Sequence, residues 1–216
     1  LIEMAERHGD VNYGVQHVDS IVCAFENELE ALKDCDAMAR LLLKDGGGAL
    51  STDLSVAILA RVMTVSFAQL KRRCDPNVSH LRKRKLEEAK KVAETFGRTL
   101  VRELPSMLDR YLADVNIFRE LVKLPALIDV EHVESTSGHA KKFASIMSLL
   151  QRAFMSNADE QIFVSVAEAL QRFTEASHPR HAVASKQVSV MVTSLASEIT
   201  TLVAEESSDE GDSSSD

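Results

Sequence analysis

Seven histidines and 33 aspartates and glutamates are enough for acid–base or metal chemistry, so their spacing decides whether any such chemistry is assembled. His178 and His181, three apart beside Pro179, have a spacing that can ligate a metal. No cysteine or third histidine lies nearby in the sequence, and the pair is read as part of a solvated turn. Gly46-Gly47-Gly48 has the small residues of a phosphate cradle. It lacks the Lys-Ser/Thr that completes one and follows a helical segment instead of a strand, so the triplet is read as a helix C-cap and loop. No nucleophile elbow or zinc-protease helix motif occurs. Catalytic, cofactor-binding and metal-binding residues are therefore each expected to number none, and the chain is not expected to be an enzyme. Cys23, Cys35 and Cys74 are odd in number and widely spaced, which fits neither a disulfide framework nor a zinc site. They are read as reduced thiols of cytosol or nucleus, with Cys23 a buried, inert one.

Two charged segments carry more information. Between Lys71 and Lys91 the chain places Lys71, Arg72, Arg73, Arg82, Lys83, Arg84, Lys85, Lys90 and Lys91 against Asp75, Glu87 and Glu88, nine cations to three anions. The whole chain has a formal charge of −8, so this stretch is a local reversal of sign. Lys71, Arg72, Arg73, Arg82, Lys83, Arg84 and Lys85 are the candidate DNA-binding residues, a density suited to phosphate contact or nuclear import. The other reading is a solvated loop and helix start. No aromatic residue interleaves the run, so base stacking on single strands is not suggested. The second segment, Glu205 to Asp216, has six acids and no apolar residue. It is expected to be a disordered acidic, serine-rich tail because it cannot bury enough surface to fold. Ser207 and Ser208 directly precede Asp209 and Glu210, a context suited to acidophilic kinases, although a solvating linker is the favoured reading.

A chain of 216 residues, 45% hydrophobic, can hide about 70% of its unfolded surface and hold a real core. No run approaches 18 consecutive apolar residues, so no membrane span is expected. Beginning at Leu1 with no signal-like segment, the chain is read as part of a longer one. Helical periodicity dominates. Val18, Ile21, Val22, Phe25, Leu29 and Leu32 share one helix face, and Met38 to Leu43 form a short segment. A helix opening at Ser51-Thr52-Asp53 carries two adjoining stripes, Leu54, Ile58, Val62, Val65 and Leu59, Met63, Phe67, Leu70, which predicts neighbours on two sides. A long helix is expected over 81–104, interrupted or restarted by Pro105, followed by short helices over 106–112, 116–123 and 125–128. Three stronger stripes follow: Phe143 to Phe154, Ile162 to Phe173, and Val188, Met191, Val192, Leu195, Ile199 and Leu202. Asn157 with Glu160 has the spacing of a capping box. The fold class is thus all-α, with stacked antiparallel helix pairs over 1–204 and the tail over 205–216.

The order of segments VDSIVCAFENELEALKDCDAMARLLL, ALSTDLSVAILARVM, RKRKLEEAKKVAETF and LPSMLDRYLADVNIFRELVKLPALIDVEHVESTSGHAKKFASIMSLLQRAF resembles the middle of the stromal antigen (stromalin, STAG-type) subunit of cohesin. The resemblance runs from about Val18 to Leu202 and is most specific from Leu104-Pro105 to Phe154. Cys35, in LKDCDAM, stands where the family pattern has tryptophan. The resemblance implies a HEAT-like helical-repeat solenoid that is not an enzyme and needs no cofactor. It also implies the kleisin subunit as partner, the SMC pair indirectly, DNA or chromatin through a basic patch, no membrane, and a nuclear, chromatin-associated location. Exposed positions over 137–152 and 157–161 are the expected edges of the kleisin contact. The alternatives are a HEAT adaptor of another chromosome complex such as condensin, and an all-α enzyme, against which the apolar inward stripes count.

Overall fold

The computed structural model describes residues 11–25, 29–44, 52–75, 77, 82–128, 137–175 and 180–209. The Gly46-Gly47-Gly48 loop, the His178-Pro179 turn and tail residues 210–216 lie outside the described residues. Among those described there is helix and no strand: α1 (Val11–Phe25), a 3-10 turn (Glu30–Lys33), α2 (Cys35–Leu43), α3 (Asp53–Cys74), α4 (Lys83–Tyr111), α5 (Val115–Leu121), α6 (Leu124–Leu127), α7 (Ser137–Ser156), α8 (Glu160–Phe173) and α9 (His181–Asp209).

Local chemistry sets most of these boundaries. The Asp34 side chain accepts the Ala37 amide at 2.9 Å, which starts α2 three residues before the first apolar residue expected there. Thr52 caps α3 by accepting the Ser55 amide, and Asp114 caps α5 through the amides of Asn116 and Ile117. α8 is capped by Asp159, whose carboxylate accepts the Ile162 amide at 3.0 Å. Asn157, the expected cap, instead donates from its side-chain amide to the Ala153 carbonyl. Two residues nearer the helix, Asp159 reaches the third helical amide and Asn157 cannot.

The two stripes of α3 separate into two cores. Ile58 and Val65, with Leu54 and Val62 beside them, close over Val18 and Val22 of α1. Met63, Phe67 and Leu70 belong to the main core, which runs without a break from Cys35 to Met191. By length and mean hydropathy α3 is apolar enough to cross a membrane. Burial against α1 on one side and α4 and α5 on the other accounts for that composition. α4 packs against α2, α3, α5 and α7. It continues through Pro105, where an interruption was expected. Proline inside a helix forfeits the bond to the Val101 carbonyl, a cost of about 3 kcal/mol. Leu104, Pro105, Met107 and Leu108 are all buried, and their packing offsets it.

Two other stripes depart from expectation. α1 ends at Phe25 and a 3-10 turn follows, so Phe25 and Leu29 are exposed while Val18 and Val22 remain inside. On α9, Ala184 and Met191 are buried, but Val192 is 59% and Ile199 60% exposed. That helix touches α7 and α8 and extends past them. It also carries helical backbone as far as Asp209, across the boundary expected at Glu205.

Candidate nucleic-acid interface

The seven candidate cations converge on one end of the α3/α4 hairpin. Lys71, Arg72 and Arg73 occupy the last turn of α3, where the negative end of the helix dipole favours them. Arg82 is the N-cap of α4, with no side-chain capping bond, and Lys83, Arg84 and Lys85 form its first turn, which contains no acid. There the dipole disfavours cations, so four consecutive ones oppose local helix stability. Arg72 and Arg82 to Lys85 are exposed, whereas Lys71 and Arg73 are half-buried. Lys71 borders a groove with Cys74, and Arg73 lies beside Leu32, Lys33 and Ser66. Along α4, Arg84 approaches Glu88 and Lys90 approaches Glu87, each at 3.5 Å between exposed side chains. Such pairs are weak and solvent-screened, and they leave the cations available to a stronger anion.

Charge also gathers where the sequence reading had not placed it. Arg61 of α3 bridges α1 and α5, its guanidinium donating to both Asp19 oxygens at 2.6 and 2.7 Å and to Glu120 at 2.9 Å. Glu120 is buried and also accepts from Lys123 at 2.9 Å. Partial burial works against the Arg61 charge and the two carboxylates outweigh it, so its affinity for the proton rises. Arg102 on α4 binds Asp36 of α2 and its neighbour Glu103, both at 2.6 Å. The one legible signal for Arg61 was a charged residue between the apolar stretches LSVAILA and VM of α3.

The thiols also differ from expectation. Cys23 is exposed and accepts from the Gln69 amide at 2.9 Å; the buried thiol is Cys35. The buried line of α1 passes through Val18 and Val22, and the next residue points away from it. Burial, then the Asp36 carboxylate, pushes the Cys35 thiol far up and keeps it protonated. Burial also raises the Cys74 thiol, against Lys71, Lys90 and Arg73. His181 donates from Nδ1 to the Thr174 carbonyl at 2.6 Å, tying the start of α9 to the end of α8. Among the described residues, no three His, Cys, Asp or Glu side chains gather as metal ligands.

Among the described residues the chain is a helical stack with a main core, a smaller core under α1 and a cationic hairpin end. The family described as cohesin subunit SCC3/SA, HEAT-repeats domain, matches residues 18–216. The chain belongs to that family. The resemblance to stromal antigen is thereby established, and the SCC3/SA match starts at Val18, a buried residue of α1. It extends over α2 to α9 and through the acidic segment to residue 216. SCC3/SA HEAT repeats are structural adaptor domains, and this one is a cohesin-associated segment. No curated protein matches the chain at a significant level.

Proposed function

We propose that this SCC3/SA segment is an architectural scaffold of cohesin in sister-chromatid cohesion and chromosome organisation, binding the kleisin subunit along its helical stack and DNA at the α3/α4 hairpin end. Family membership supports the kleisin reading, together with a stack long enough to offer an extended surface. Association with the SMC pair follows indirectly through kleisin, and a nuclear, chromatin-associated location follows from the same membership. The observation that carries the DNA reading is the set of cations at the first turn of α4, placed where helix stability alone would select acids.

Each contact has its own test. Changing Arg82, Lys83, Arg84 and Lys85 together to glutamate should abolish DNA binding. A pairwise series should show the slope of log affinity against log salt falling by about three to four units for the four cations. An unchanged slope would make the patch a solvated helix start. For kleisin, calorimetry of the folded chain against the central segment of its cognate kleisin should give a binding heat spread over many contacts. No heat, with native helicity by circular dichroism, would place kleisin binding elsewhere in the parent subunit.

A further inference from the structure

An open groove of roughly 510 Å³ runs between the C-terminal half of α3 and the N-terminal half of α4, on the flank of the cationic end. Its floor is Phe67, Cys74, Ala93 and Gly97. Phe67 is stacked on Phe96 with ring centroids 4.9 Å apart and planes 8° apart, and both rings are buried. Four cations, Lys71, Lys90, Lys91 and Arg98, stand over it against two carboxylates, Glu87 and Glu94. Glu87 lies 3.5 Å from Lys90, and Glu94 pairs with Arg98. Lys91 is exposed and has no ion pair among the described residues.

Gly97 is the residue that packing does not explain. Glycine inside a helix is less stable than alanine by about 1 kcal/mol. A Cβ added at Gly97 would meet only Phe67 Cζ, at 3.7 Å, an ordinary van der Waals contact. The fold therefore has room for alanine, and what glycine preserves is depth in the groove.

We propose that this groove docks an acidic peptide segment through one large apolar side chain seated over Gly97. The apolar floor takes the anchor, and the surplus of cations attracts the flanking carboxylates. A peptide satisfies both features, whereas a phosphodiester backbone would use the rim and leave the floor empty. The inference does not rest on the kleisin or DNA readings.

Fluorescence anisotropy of the purified chain tests it, with a short labelled peptide of Asp and Glu carrying one central leucine, the same peptide with alanine there, and a short duplex DNA. The leucine peptide should bind about tenfold tighter than the alanine peptide, the factor expected for burying that side chain. Gly97→Leu should fill the groove and erase the preference, leaving DNA affinity within about twofold. Gly97→Ala, which fits without displacement, should raise the melting temperature while weakening the preference, and it decides the matter if Gly97→Leu fails to fold. Equal binding of the two peptides to the unmodified chain would overturn the proposal, as would a preference that survives in a folded Gly97→Leu protein. Parallel loss of peptide and DNA binding in that variant would assign the groove to nucleic acid and overturn it as well.

Discussion

Arg61 joins α1, α3 and α5 through two carboxylates, and removing it leaves Glu120, whose side chain is 6% exposed, with Lys123 as its remaining charge partner. Breaking a buried pair from one side costs more than replacing both members. Arg61→Ala should therefore lose about 2–3 kcal/mol in urea denaturation, with Lys123 limiting the damage. Arg61→Met combined with Glu120→Leu should recover most of that loss, because desolvation makes such a pair no better than well-packed apolar side chains. Asp159 supplies a pH dependence. The Arg119 guanidinium, bonded at 2.6 Å, and secondarily the Ile162 amide hold its carboxyl below the ordinary carboxylate value. Its stabilisation is complete above the unfolded value near pH 4 and is lost as pH falls through the folded one. Asp159→Asn keeps a capping acceptor but not the charge. It should melt below the unmodified chain at neutral pH, by about 1 kcal/mol in stability, and the gap should close under acid.

At the scale of the element, α9 shows how one periodic stripe divides between burial and exposure. Met191 sits in the core and Val192 does not, although the two are adjacent and both fall in the stripe. Met191→Ala should cost about 2–4 kcal/mol, and Val192→Ala should stay within about 0.5 kcal/mol, by equilibrium unfolding. Periodicity reports that a helix has an apolar face. How much of that face is covered depends on how α7 and α8 pack against it, which the periodicity of α9 does not encode. α4 presents the opposite case: Pro105 is a strong local stop signal, and the tertiary burial of Leu104, Pro105, Met107 and Leu108 overrides it.

Across the whole molecule, the main core links α2 to α9, while α1 is held by the smaller cluster of Val18, Val22, Ile58 and Val65 and by the Asp19–Arg61 pair. Regions with fewer buried contacts open at lower free energy. Amides of α1 should therefore exchange with deuterium before those of α4, and Val22→Ala should accelerate exchange in α1 while leaving α4 and α7 unchanged. The all-α class, the two-sided burial of α3, the stripes of α7 and α8 and the cationic run were legible in the sequence, because each depends on residues close together along one helix. Family membership was legible too, from the order of segments between Val18 and Leu202. The Arg61 bridge spans 42 residues to Asp19 and 59 to Glu120. The floor of the α3/α4 groove likewise joins Phe67 to Gly97, and Cys35 rather than Cys23 is the buried thiol. These features were decided only by the tertiary structure, since burial and pairing depend on which helix faces which, and local spacing does not contain that information.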